Sequence, residues 1–285
     1  MPSSLMTSAK GEVMSNSRVK VTVPQMMARK SSGPALAMVT AYDATFAAIA
    51  DGAGVDLILV GDSVATVMQG QKNTLGVSME QMEYHVQMVA AARPLALIVG
   101  DLPFGSYQSG VTEAVTNSIR LIKAGAEIVK LEGGVHVADQ IRAIAQADIP
   151  VMGHIGLTPQ SYHRMGGNKV QGRTSGESAG SRERLIEDAF AVEQSGACAL
   201  VIEGVPAELA ADITAKISIP TIGIGAGISC DGQVLVLHDI LGLSPRTFTF
   251  AKKYADVLSV AQNALSEYVS EVQAGSWPDD EHSFK

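Results

Sequence analysis

One phrase occurs three times in this chain: a glycine, a short apolar run, and an acid that closes it. The copies are Gly54-Val-Asp-Leu-Ile-Leu-Val-Gly-Asp62, Gly125-Ala-Glu-Ile-Val-Lys-Leu-Glu132 and Gly196-Ala-Cys-Ala-Leu-Val-Ile-Glu203, with glycines 71 residues apart. A glycine at that place ends a helix in the left-handed region, and the apolar run after it is a strand. The interval holds about two strand-helix units, so the repeat describes a barrel assembled from such units.

Eight runs of strand character are present: Leu36–Thr40, Asp56–Gly61, Leu95–Gly100, Glu127–Leu131, Val151–Gly153, Ala199–Ile202, Thr221–Ile224 and Val234–Leu237. Most are apolar without alternation, as strands covered on both faces require. Stretches of helical period lie between them, the pattern of a parallel sheet wrapped by helices. Ser78-Met-Glu-Gln81 fits a capping box, which predicts a helix start there. The fold expected is a (β/α)8 TIM barrel in one domain over 21–285, since such barrels take about 250 residues. A doubly wound open sheet is the alternative, weakened because no G-x-G-x-x-G follows the first strand.

Residues 1–20 are rich in Ser and Met without a sustained period and are expected to be a disordered N-terminal extension. Arg246–Gly275 reads as a terminal helix with loop flanks, Trp277–Lys285 as an irregular tail, and Met165–Gly180 as a candidate lid. A net charge of −8 argues against a nucleic-acid surface. No apolar run approaches the roughly 18 residues of a membrane span, and no secretory signal opens the chain. Cys198 and Cys230 lack metal-ligand spacing and are expected to be buried, reduced thiols of a cytoplasmic protein.

In a barrel the site forms where strands end, and here polar residues gather there. Strand two leads to Asp62-Ser63, strand three to Asp101, strand four carries Lys130 and Glu132, strand five leads into His154, and strand six ends in Glu203. Alternation puts Lys130 and Glu132 on one face. Carboxylates converging at a barrel mouth repel one another unless a cation lies between them, and a hard ion with oxygen ligands such as Mg²⁺ suits the set. Asp62 and Asp101 are the expected direct ligands, with Glu132 direct or acting through water. The plainer readings are helix caps for Asp62, Asp101 and Glu203, a structural partner of Glu132 for Lys130, and a satisfied core imidazole for His154. Gly223-Ile-Gly-Ala-Gly227 is a weak phosphate-loop signal, and His238-Asp239 a paired element closing strand eight.

Longer segments carry a family resemblance: Thr40-Ala-Tyr-Asp43, Leu59-Val-Gly-Asp-Ser63, Gly100-Asp-Leu-Pro-Phe104, Val129-Lys-Leu-Glu-Gly-Gly134, Gly153-His-Ile-Gly-Leu-Thr-Pro-Gln160, Lys169-Val-Gln-Gly-Arg173, Gly223-Ile-Gly-Ala-Gly227 and Glu281-His-Ser-Phe284. Together they make the chain, from about residue 23 onward, resemble the ketopantoate hydroxymethyltransferase family. That resemblance implies a barrel of the phosphoenolpyruvate/pyruvate-binding type. It implies transfer of a hydroxymethyl group from 5,10-methylenetetrahydrofolate to 3-methyl-2-oxobutanoate, giving 2-dehydropantoate for pantothenate and coenzyme A synthesis through a Mg-stabilised enolate.

On the matching positions it implies a Mg²⁺ site of Asp62, Asp101 and Glu132. Asp62, Ser63, Asp101 and Lys130 contact the oxo acid, His154 lies near it, and Glu203 is the proton acceptor, which burial would suit to that task. It also implies homo-oligomers, often decamers, to which the apolar segment Val21–Met27 is expected to contribute. Gly204 and Ser244-Pro-Arg246 depart from the family pattern, where some relatives carry a bulkier residue and a glycine-richer stretch. The rival barrels are the phosphoenolpyruvate and isocitrate lyases, whose Lys-Lys-Cys-Gly-His type of loop is missing here, and a catalytically silent binding barrel.

Overall fold

The structure, a computed structural model, describes residues 18–30, 32–176, 178, 180–244 and 248–285. Eight parallel strands close in sequence order: β1 Leu36–Thr40, β2 Leu57–Val60, β3 Leu97–Asp101, β4 Ile128–Glu132, β5 Val151–Gly156, β6 Ala199–Glu203, β7 Thr221–Ile224 and β8 Gly232–Leu235, with β8 pairing back onto β1. Alternation along each strand divides the core in two. Inward residues such as Leu57, Leu59, Val99, Ile128, Met152, Val201 and Ile222 fill the barrel. Outward residues such as Ile58, Val60, Val129, Leu131, Leu200 and Ile202 pack beneath the helices. Each strand is therefore apolar on both faces, which is why its sequence shows no polar alternation.

The repeated glycines do what the repeat implies. Gly54, Gly125 and Gly196 have φ of +90°, +116° and +96°. They follow the helices Ala44–Gly52, Val111–Ala124 and Arg182–Gln194, and they turn the chain into β2, β4 and β6. Ser78 and Gln81 form the expected capping box at the start of Met79–Ala91.

Strand eight begins earlier than its hydropathy suggests. Gly232 pairs with Leu36, and a Cβ there would stand 2.6 Å from the Leu36 carbonyl oxygen, so only glycine admits the close pairing. The strand is then spent by Leu235, and His238-Asp239 falls in the short helix Leu237–Leu241 instead of closing β8. Residues 225–231, between β7 and β8, contain no helix.

Val21–Met27, expected to contribute to an oligomer interface, packs in part on its own barrel, with Met27 left exposed. Met26 of the helix Val23–Met27 is fully buried in the interior cluster, with Val21 and Val23 packed against it, so this segment plugs the barrel at the end opposite the strand-end acids. Burying such a side chain contributes about 1.5–3 kcal/mol. Of the expected N-terminal extension, residues 1–17 lie outside the described residues. Arg18 and Lys20 at its end pair with Asp51 and Glu127. The terminal helix is Val257–Ala274; residues 245–247 before it lie outside the described residues, so the Ser244-Pro-Arg246 departure is not described beyond Ser244. No residue of this helix is buried, and Val260, Leu265 and Tyr268 are among its exposed side chains. Both cysteines are free and buried, and burial pushes the Cys198 thiol up to about 12. No helix among the described residues is long and apolar enough to cross a membrane.

Candidate active site

Strand register assembles the site. On β4 the inward column runs Ile128, Lys130, Glu132, and register sets Asp101 of β3 against Lys130 and His154 of β5 against Glu132. Glu203 stands opposite Gly156 one strand further on. Asp62 and Ser63 lie just past β2. All seven expected residues line one cavity of about 770 Å³ at the mouth of the barrel.

The deepest pair is Lys130 Nζ donating to Asp101 Oδ1 at 2.6 Å, both side chains almost wholly buried. Lys130 thus pairs with Asp101, and not with Glu132 as its plainer reading had it. Asp101 Oδ2 also accepts from the Asp62 backbone N–H at 3.1 Å, which ties the two acids together. Glu132 faces the other way: Oε2 accepts from the Gln160 backbone N–H at 2.9 Å, and Oε1 lies 3.5 Å from His154 Nδ1. The other ring nitrogen, Nε2, is 3.2 Å from Glu203 Oε2, so the imidazole bridges two carboxylates. Both are ion-pair contacts off the line of a good hydrogen bond. The Glu203 side chain is 19% exposed, the most open of the site acids.

Burial and crowding set the protons. Burial first, then Asp101 and Glu132, pushes the Asp62 carboxyl well above the usual carboxylate range. Asp101 is also raised by burial, against the pull of Lys130. Burial opposes ionisation of Glu132 too, but His154, Lys130 and the Gln160 N–H outweigh it and lower its pKa. For His154 burial opposes the charge, and contacts with Glu132 and Glu203 overcome it, pushing the imidazole up to about 9. Lys130 stays charged, because three carboxylates outweigh the cost of its burial.

Among the described residues, no three His, Cys, Asp or Glu side chains are grouped to hold a metal ion between them. Asp62 and Asp101, expected as direct ligands, and Glu132, expected direct or through water, line the same cavity. Glu132 gives Oε2 to the Gln160 N–H while its buried Oε1 has no hydrogen-bond partner among the described residues, and Asp62 and Asp101 are the adjacent pair.

The model of the family described as ketopantoate hydroxymethyltransferase matches residues 20–280. The chain belongs to the ketopantoate hydroxymethyltransferase family. It is 53% identical to the 3-methyl-2-oxobutanoate hydroxymethyltransferase of Pelobacter propionicus, over 95% of this chain and 100% of that one. It is also 53% identical to that of Trichlorobacter lovleyi, over 94% and 99%. Among solved structures the fold is shared with a 2,3-dimethylmalate lyase of the PEP mutase/isocitrate lyase superfamily, at TM-score 0.57 and 18% identity over 92% and 91% of the two chains. It is shared also with a phosphonopyruvate hydrolase in complex with oxalate and Mg²⁺, at TM-score 0.59 and 14% identity over 93% and 92%. These two likenesses show the expected barrel fold.

In this ketopantoate hydroxymethyltransferase-family chain several residues join the site that the strand-end rule does not single out. Gln160, just past β5, donates through its side-chain amide to Asp62 Oδ2 at 3.1 Å and to the Leu102 carbonyl at 2.9 Å. Its own amide oxygen accepts from Tyr107 Oη at 2.7 Å. Tyr107 in turn accepts from the Glu132 backbone N–H. Tyr42 Oη lies 2.8 Å from Ser63 Oγ and fixes that hydroxyl. Both tyrosines lie in segments quoted for the resemblance or close beside one; no local rule of burial or spacing marks them out.

The glycines after β7 are explained by packing. A Cβ on Gly225 would stand 3.3 Å from the Phe250 ring, and one on Gly227 2.5 Å from the Ala207 Cβ. Gly204 has φ of +56°, which accounts for glycine where some relatives carry a bulkier residue. Asn168 and Val170 of the candidate lid line the cavity, and Gln171 N–H donates to the Gly204 carbonyl at 2.9 Å. Residues 177 and 179 of that segment lie outside the described residues.

Proposed function

We propose that the chain transfers a hydroxymethyl group from 5,10-methylenetetrahydrofolate to C3 of 3-methyl-2-oxobutanoate, with Mg²⁺ as cofactor. A C3–H bond breaks, a carbon-carbon bond forms to the one-carbon unit, and water supplies the hydroxyl as tetrahydrofolate leaves. The observation that carries this reading is the imbalance of charge at the barrel mouth. Four carboxylates, Asp62, Asp101, Glu132 and Glu203, face two cations, Lys130 and His154.

That imbalance is the test of fit for a metal. A divalent cation would balance the excess, and Asp62, pushed upward first by burial and then by Asp101 and Glu132, is the acid such a charge would relieve. The donors are all carboxylate oxygens, the chemistry a hard cation takes. Asp62 and Asp101 would hold the ion, with Glu132, whose buried Oε1 has no hydrogen-bond partner among the described residues, direct or through water. Bound there, Mg²⁺ supplies Lewis acidity that lowers the cost of negative charge on the keto oxygen as C3 loses its proton.

The protein residues do the rest. Lys130 is a fixed cation at the cavity floor, suited to the oxo acid's carboxylate as well as to Asp101. Ser63, held by Tyr42, offers a hydroxyl beside it. Together they orient C3 toward Glu203, converting an encounter into an aligned reaction. Glu203 accepts the C3 proton, and its partial exposure leaves room for the carbon it must reach. His154 holds Glu203 in place through the contact at 3.2 Å.

A homo-oligomer, decameric as the resemblance implies, belongs to the same proposal. It is supported by the helix Val257–Ala274, whose apolar side chains find no cover among the described residues. The site of action is proposed to be the cytoplasm, within pantothenate synthesis.

The deciding experiment is exchange of the C3 hydrogen of 3-methyl-2-oxobutanoate with solvent deuterium, followed by NMR with and without Mg²⁺ and tetrahydrofolate. Exchange that requires Mg²⁺ is expected. Absence of exchange under all conditions would end the proposal.

A further inference from the structure

The cavity is larger than the chemistry of its floor requires. About 770 Å³ is space of the kind that takes drug-sized ligands, whereas a small branched oxo acid beside Asp62, Lys130 and Ser63 would fill only a fraction of it. What lines the remainder is of a different character. Phe248 and Phe250 stack on one another at 5.4 Å between ring centroids and 23° between planes. Each is nearly half exposed, and both line the cavity wall. Gly225, with φ of +58° and no Cβ, lets Phe250 lie against the end of β7. On the short helix Leu237–Leu241 after β8, Asp239 also lines the cavity, and no hydrogen bond or ion pair engages its half-buried carboxyl among the described residues.

Position adds to composition. Around the barrel, the oxo-acid side is built by β2, β3 and β4, the base Glu203 ends β6, and the aromatic wall, carried by residues beyond the helix Leu237–Leu241, lies against the end of β7. Glu203 registers directly against Ile224 of β7, the residue before Gly225. The base thus stands between the two halves, where a carbon acid on one side and a carbon donor on the other would meet.

We infer that the β7–β8 wall is the subsite for the pterin ring of the folate donor, with Phe248 and Phe250 as its stacking platform and Asp239 as the acceptor of its paired N–H donors. The inference rests on the folate-donor reading above. A reduced pterin keeps a flat 2-amino-4-oxopyrimidine ring whose ring N–H and 2-amino group point the same way. A carboxylate accepts two such parallel donors at once. Rings with two χ angles offer wide contact area at low entropic cost, and face-to-face offset packing suits them.

The test is equilibrium binding of tetrahydrofolate to the full-length Mg²⁺-loaded protein in the presence of 3-methyl-2-oxobutanoate, measured by calorimetry. Asp239→Asn is expected to weaken binding by roughly 10–100-fold, the loss of a charge-assisted pair. Phe250→Ala is expected to weaken it by about tenfold. An analogue lacking the 2-amino group should bind the natural protein as weakly as tetrahydrofolate binds Asp239→Asn, and should bind that variant no worse. This arm needs no substitution in the protein. Undiminished affinity in both variants, or full affinity for the analogue, would overturn the subsite while leaving the folate reading intact. Failure of the unaltered protein to bind tetrahydrofolate at all would remove both.

Discussion

The two sides of the one cavity are held together on opposite terms. On the β2–β5 side, Asp101, Lys130, Glu132 and His154 are nearly inaccessible and hold one another through ion pairs and through Gln160. On the β7–β8 side, Phe248 and Phe250 are half open, and Asp239 has no partner among the described residues. The first arrangement fixes charges in a low dielectric, where a misplaced ion costs several kcal/mol and geometry is therefore unique. The second keeps contact area in reserve. A reaction that must activate one small anion and admit one larger flat donor calls for both.

The largest effect should come from the residue between them. Glu203→Gln keeps size and loses the proton-accepting charge. Exchange of the C3 hydrogen is expected to fall by about 10²–10⁴-fold, the usual worth of a general base. Binding of the oxo acid with Mg²⁺, read by calorimetry, should change far less. Retention of natural exchange by this variant would take Glu203 out of the role of base and leave it as a partner of His154.

A smaller loss should follow from loosening the rigid side without touching an acid. Gln160→Leu removes the donors to Asp62 and Leu102 and the acceptor for Tyr107, but leaves the backbone N–H that serves Glu132. Groups that orient a ligating carboxylate are worth about 10–100-fold in metal affinity. The Mg²⁺ dissociation constant, measured by calorimetry without any substrate, should rise by that factor, and Gln160→Glu should not restore it, since a carboxylate cannot donate to Asp62. An unaltered Mg²⁺ affinity would mean that the network serves folding alone.

Gln160 also marks where sequence stops being informative. Asp62, Asp101, Glu132 and Glu203 are legible because barrel geometry sends every strand end to the same mouth, so an acid after an apolar run is placed by local pattern alone. The glycine repeat tells the same story, because a left-handed helix end is a property of one residue. The commitment of Glu132 to His154 and Gln160 is not legible, since two carboxylates one strand apart look alike until register and loop packing choose their partners. Nor is the aromatic wall. Phe248 and Phe250 line the mouth although they lie well past β8 in the chain, with Phe250 against Gly225, and no period in the sequence encodes that placement. Strand eight shows the limit of hydropathy itself: Val236 and Leu237 are apolar but lie past the strand, since the close approach of Gly232 to β1 starts the pairing early.

The smallest effect is the most diagnostic of the open side. Burial raises the Asp239 carboxyl above its ordinary 3.8 with no cation to compensate among the described residues; its neighbour Tyr42 keeps a neutral hydroxyl, and burial lowers the His238 imidazole toward its neutral form. A carboxylate whose folded pKa is raised penalises folding in full above that folded value, and the penalty fades as pH falls toward the unfolded one. Asp239→Asn is therefore expected to stabilise the ligand-free protein at neutral pH. The gain should be small, at most about 2 °C in melting temperature, because water still screens a half-exposed group. It should shrink as melting is followed down toward pH 4. A group retained at a cost to stability is one kept for binding. A loss of stability in Asp239→Asn at neutral pH would show instead that the carboxylate is already engaged within the fold, and the contrast between the two sides of the cavity would no longer hold.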